Sequence, residues 1–99
     1  MKVASVWVGK GRVQWADAAH HEYARRLPKH LGFREISLKP TPFRGDVDAV
    51  RSDEATRILA KLGDGDRLIA LDERGVDLDS HGFANLIDSA AKAGTKRLV

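Results

Sequence analysis

The sequence predicts an α/β fold: a mostly parallel sheet with helices on its faces, in the order β-α-β-α-β-α-(β). Three observations lead there. Short apolar runs rich in β-branched or aliphatic residues stand at Val3–Val8, Phe33–Leu38 and Leu68–Leu71. Between them lie longer stretches whose apolar residues recur every three or four positions, the helical period. Gly, Pro or Asp punctuates each junction, and there is no internal repeat or low-complexity segment.

Val3–Val8 closes on Gly9 and reads as a buried strand. Gln14–Leu27 carries Trp15, Ala18, Ala19, Tyr23 and Leu27 at helical spacing, and Pro28 ends it, because the residue before a proline resists helical geometry. Phe33–Leu38 is a weaker strand, interrupted by Arg34 and Glu35, and Pro40 and Pro42 mark a loop to about Asp48. A helix starts near Ala49 or Ser52 and ends near Leu62, with Val50, Ala55, Ile58, Leu59 and Leu62 apolar. Gly63-Asp64-Gly65-Asp66 turns the chain into Leu68–Leu71, apolar throughout, as a central parallel strand is. After the turn Asp72–Gly75, Asp79 or Ser80 caps a third helix with the face Phe83, Leu86, Ile87, Ala90 and Ala91, and Gly94 stops it. Arg97-Leu98-Val99 opens a fourth strand.

Ninety-nine residues make one domain at most, with 42% hydrophobic and 31% charged residues, which excludes disordered and collagen-like chains. No apolar run approaches the roughly 18 residues needed to span a bilayer, so no membrane partner is expected. Cysteine is absent, which removes disulfides, thiolate chemistry and cysteine-based metal sites and makes the cytoplasm the expected compartment. The net charge of +3 hides a division. Arg25–Gly45 holds Arg25, Arg26, Lys29, Arg34, Lys39 and Arg44 against Glu35 alone, a net +5; Asp46–Asp79 holds ten acids against five bases, a net −5. A cationic segment of that density suits a phosphate backbone, while a solvated basic loop beside a solvated acidic helix fits the same charges.

The individual chemical motifs are sparse. Gly9-Lys10-Gly11 has two glycines of a dinucleotide fingerprint, but Gln14 stands in the third position and no acid follows at the required distance, so a glycine turn explains it better. His20 and His21 are adjacent on a helix and cannot chelate as an i, i+4 pair; with His30 and His81 they suggest no metal site. The acids Asp64, Asp66, Asp72, Glu73, Asp77 and Asp79 do not follow calcium-loop spacing, and no serine sits in a nucleophile elbow, so no catalytic residue is named. Trp15 and Tyr23 are either core residues or, with Arg25 and Arg26 beyond them, a surface for stacking bases.

Taken in order, the Val8-Gly9-Lys10 exit, His21-Glu22-Tyr23-Ala24-Arg25-Arg26-Leu27, Asp53-Glu54-Ala55-Thr56-Arg57-Ile58-Leu59, Leu68-Ile69-Ala70-Leu71-Asp72-Glu73-Arg74-Gly75 and Ser80–Leu86 resemble the N-terminal part of the RlmH family. These are SPOUT-class enzymes that methylate a pseudouridine of large-subunit ribosomal RNA with S-adenosylmethionine. The resemblance implies a SPOUT-like α/β half lacking the C-terminal knot, with residues 1–99 a single truncated domain. It implies cofactor contact at Leu71, RNA contact through Arg25, Arg26, Lys29, Arg34 and Lys39, and weak or absent cofactor binding by this chain alone. Family members continue into a Gly-Gly loop and a knotted segment that closes the cofactor pocket and builds much of the dimer. An open sheet edge at Leu68–Leu71 is therefore expected to recruit a second copy or a complementary C-terminal chain. A non-catalytic, unknotted dimerisation or RNA-interaction module is the alternative reading.

Overall fold

The computed structural model describes residues 1–9 and 14–99. Among these, the strands are β1 (Lys2–Val8), β2 (Arg34–Leu38), β3 (Asp66–Arg67) and β4 (Arg97–Leu98), and the helices are α1 (Gln14–Arg26), α2 (Val47–Leu59) and α3 (Ser80–Lys92). A 3-10 turn at Lys29–Leu31, which the sequence pattern did not suggest, precedes β2. The strands form one parallel sheet in the order β2-β1-β4-β3. The expected α/β class and element order hold.

The order fixes the layers. The steps from β1 to β2 and from β3 to β4 run the same way across the sheet, and the step from β2 to β3 runs back. Right-handed crossovers therefore put α1 and α3 on one face and α2 on the other. The side chains agree. Trp7 of β1 meets His20 of α1 edge-on at 4.5 Å. The register pairs Ser5 with Glu35, on the same face as Trp7, and Glu35 Oε1 lies 2.7 Å from His20 Nε2. On the opposite face Lys2, Arg97 and Asp66 share one row, and Arg97 donates to the Lys61 carbonyl just beyond α2.

The helix ends follow from local chemistry. The Asp46 carboxylate accepts from the amides of Asp48 (2.9 Å) and Ala49 (3.2 Å), so α2 begins at Val47, earlier than Ala49 or Ser52. It ends at Leu59, and the chain to Leu62 follows as tight turns rather than helix. Asp79 caps α3 through the Gly82 amide at 2.7 Å, as expected. Gly94 takes φ +85°, the left-handed stop expected of it. Gly9 likewise has φ +85°, while Lys10 and Gly11, the rest of the glycine turn expected from the sequence, lie outside the described residues.

Two expectations are corrected. The third strand pairs at Asp66–Arg67 rather than Leu68–Leu71, because its only neighbour among the described residues is the short β4. Two further backbone bonds, from Val99 N to Arg67 O (2.9 Å) and from Ile69 N to Val99 O (2.7 Å), carry the contact up to Ile69. The second correction concerns α1. Trp15 and Tyr23 are not core: they are 77% and 66% exposed, and the half-buried stripe is Ala16, His20 and Ala24.

The core is small. Among the described residues Ala4, Ala90 and Leu98 are its buried apolar members. The chain exposes 8212 Å2, against about 5,600 Å2 for a compact monomer of 10.9 kDa. Its radius of gyration is 15.0 Å, against about 13 Å for that size. The helices lie on the sheet without sealing it.

Candidate functional site

In a parallel sheet every strand delivers its carboxyl end to the same side, where ligands of open α/β folds bind. Val8-Gly9, Leu38-Lys39 and the continuation of β3 to Leu71 meet that side. Leu71 follows Ile69, whose amide makes the last bond of the β3–β4 contact, so its backbone has passed the end of its neighbour. Its side chain is 87% exposed. The turn behind it is held by Asp72, whose carboxylate accepts from the Arg74 amide (2.8 Å) and guanidinium Nε (3.2 Å). These bonds, the guanidinium one first, hold the Asp72 carboxyl below its ordinary value. Val76 and Leu78 extend the exposed apolar surface of this loop. A pocket for a cofactor buries most of the ligand. Leu71, so exposed, is not enclosed, and the described residues do not by themselves surround S-adenosylmethionine.

The second element at this end is the loop Lys39–Asp46. Its middle is clasped to α2. Thr41 N donates to Glu54 Oε1 (3.2 Å), Thr41 Oγ1 donates to Asp53, and Arg57 donates to Thr41 Oγ1 (2.7 Å) and to Asp53 Oδ2 (3.2 Å). Gly45, at φ +94°, reverses the chain into the Asp46 cap. Phe43 stands between these fixed points, 67% exposed. It escaped the sequence reading; the available signal was an aromatic residue set between proline and arginine in a loop.

The five cations singled out by sequence do not form one patch. Arg25 and Arg26 end α1, Lys29 opens the 3-10 turn and Arg34 opens β2, so these four share the amino-terminal end of the sheet. Arg25 and Arg26 both pair with Glu22, at 2.7 and 2.9 Å, and Arg26 also lies 5.4 Å over the Tyr23 ring. Lys39 follows the other end of β2, about 16 Å from Arg34 at the rise of a strand.

The amino-terminal end also carries a cleft of about 670 Å3 lined by Lys2, Arg34, Asp64, Asp66, Lys96 and Arg97 among others. Within it, Asp66 binds Arg97 and accepts from the Gly63 amide at 2.8 Å. The Arg97 guanidinium, then that amide, lowers the Asp66 carboxyl, and the same pairing raises Arg97. A second groove of about 450 Å3 between α1 and β2 is lined by His20, Tyr23, Ala24, Arg26, Leu27 and Phe33. Among the described residues no three His, Asp or Glu side chains converge as metal ligands, and no helix is long and apolar enough to cross a membrane.

A parallel β-α series with right-handed crossovers, whose third strand leads on to an exposed apolar residue, is the architecture of an open α/β domain, a class that takes its ligands at the carboxyl ends of the strands. More specifically, the chain belongs to the SPOUT methyltransferase family: the family described as "Predicted SPOUT methyltransferase" matches residues 1–99. It is 35% identical over 99 residues to the ribosomal RNA large subunit methyltransferase H of Trichlorobacter lovleyi, covering all of this chain and 64% of that protein. It is 31% identical over 100 aligned positions to the protein of that name from Pelobacter propionicus, again all of this chain and 64% of the relative. The relative from Hydrogenovibrio crunogenus is 33% identical over 97 residues, with 95% of this chain and 62% of that protein covered. The RlmH-like resemblance read from the residues holds, and the chain spans just under two thirds of the length of these relatives.

Proposed function

We propose that residues 1–99 act as one truncated SPOUT-like domain, the N-terminal portion of a ribosomal RNA methyltransferase that uses S-adenosylmethionine in the cytoplasm. The observation that carries this reading is the family match along the whole chain, joined to a parallel sheet whose third strand leads to an exposed apolar residue at its carboxyl end. In the complete site Leu71 touches the adenosine end of the cofactor. The cofactor supplies the methyl group; the protein supplies proximity and alignment, which account for much of the rate of such a transfer. Arg25, Arg26, Lys29 and Arg34 hold phosphates at one end of the sheet and Lys39 at the other, giving register without sequence information.

The pairing geometry supports a need for a complement. β4 pairs with β1 only at Lys2 and Val3, so Ala4–Val8 of β1 have a sheet neighbour on the β2 side alone among the described residues. A further strand from a second copy or a complementary C-terminal chain fits there. This chain by itself then binds S-adenosylmethionine weakly or not at all. A second reading, a non-catalytic RNA-holding or dimerising module, is favoured by one feature: Leu71 lines neither of the two clefts described above.

Size-exclusion chromatography with light scattering, joined to calorimetry with S-adenosylmethionine, tests the proposal. Self-association without saturable cofactor binding is expected. A monomer that binds the cofactor with micromolar affinity overturns it.

A further inference from the structure

We propose that the Lys39–Asp46 loop is a single-stranded RNA contact, in which an unstacked base lies on the Phe43 ring between the cations Lys39 and Arg44. The inference rests on the RNA-binding reading above, which contains Lys39, and adds Phe43 and Arg44 as contacts that reading does not contain. Four observations carry it. Phe43 is 67% exposed at a position with no hydrophobic neighbour in sequence except Val47, itself exposed. An aromatic side chain left in water gains by covering its face, and every nucleobase offers a matching one.

The ring is also held in place. Pro40 and Pro42 restrict the backbone before it. The Thr41 clasp, made by Asp53, Glu54 and Arg57, ties the loop to α2 two residues upstream, and the Asp46 cap ties it three residues downstream. A fixed aromatic surface loses little freedom when a base settles on it, which is what makes a preorganised contact effective.

The charge selects the partner. Among the described residues, neither Lys39 nor Arg44 pairs with an acid, a state they share with Lys29 and Arg34 at the other end of the sheet, whereas Arg25, Arg26, Arg57, Arg74 and Arg97 are paired. Two unneutralised cations flanking an exposed ring match the phosphate-base-phosphate repeat of a nucleic acid strand. A duplex keeps its bases stacked on each other, so only a single-stranded segment can use the ring. Finally, the loop sits at the carboxyl end of the sheet, the end that Leu71 also reaches and the four amino-terminal cations do not.

The test is fluorescence anisotropy of the purified chain with a short labelled oligouridine and with a duplex of equal length. Phe43→Ala is expected to weaken oligouridine binding about tenfold and leave duplex binding unchanged. Phe43→Trp is expected to retain the affinity and to lose tryptophan emission on binding. Arg44→Ala is expected to lower the salt slope by about 0.7 for the single strand. Circular dichroism of each variant verifies the fold. If Phe43→Ala binds oligouridine like the parent while joint replacement of Arg25, Arg26, Lys29 and Arg34 abolishes binding, the loop contact is wrong and the wider RNA reading stands. If the parent binds neither RNA, both fail.

Discussion

Leu98→Ala removes the central apolar side chain of the sheet. Leu98 is 4% exposed, sits in register between Val3 and Arg67, and shares its face with α3, whose Ala90 is fully buried. The change deletes three buried carbon groups, about 2.4 kcal/mol at roughly 0.8 kcal/mol each. A rigid core would add a cavity cost, but the half-open surroundings here relax, so the total stays near the low end of the usual range, about 2.5 kcal/mol. For 99 residues at roughly 0.05 kcal/mol per residue the whole stability is about 5 kcal/mol. The substitution thus removes about half. Urea unfolding followed by far-ultraviolet circular dichroism should show the midpoint falling by about 0.8–2.5 M, given a slope of roughly 1–3 kcal/mol per M. Leu71→Ala, at an exposed position, should change the stability by less than about 0.5 kcal/mol. If the two variants unfold together, the sheet is not organised around Leu98 and the packing argument fails.

Gly65 has φ +88°, and a Cβ there would lie 2.8 Å from Lys96 Cδ. Gly65→Ala should therefore cost about 1–2 kcal/mol by the same urea assay, through backbone strain and the displaced lysine. Asp66 is held below its ordinary value of 3.8 by Arg97 first and the Gly63 amide second. A carboxyl lowered on folding contributes stability that is present above its unfolded value and lost as the pH falls through the folded one. Thermal midpoints should fall as the pH drops below about 4, and Asp66→Asn should flatten that dependence; an unchanged slope would show that the Arg97 pair does not couple to folding.

Much of this architecture was legible. The β-branched run of β1, the aspartate caps and the glycine stops are local signals, and each acted locally. The face of α1 was not, because an alanine-rich helix offers two stripes at the same period. Trp15, Ala19 and Tyr23 make one; Ala16, His20 and Ala24 make the other. Hydrophobicity favours the first, but the Glu35 carboxylate and the Trp7 edge draw His20 onto the sheet and turn the aromatic stripe outward. The third strand was misplaced because its length depends on its neighbour β4, not on its own apolar run. The basic segment looked continuous in sequence, yet β2 carries the chain across the sheet between Arg34 and Lys39 and splits the charge between two ends. Phe43 gave no periodic signal, since its exposure comes from a tertiary clasp by residues of α2.

The parallel pairing of Lys2 with Arg97 joins positions 95 apart. Bringing such distant points together costs roughly 4 kcal/mol of loop-closure entropy, so this registry forms late, after β1, α1 and β2 have assembled. On the ribosome, at roughly 10 residues per second, the first strand waits about 10 s for this neighbour to be made. Through that interval the β4 side of its border stays unpaired, an edge that an extended polypeptide could pair with.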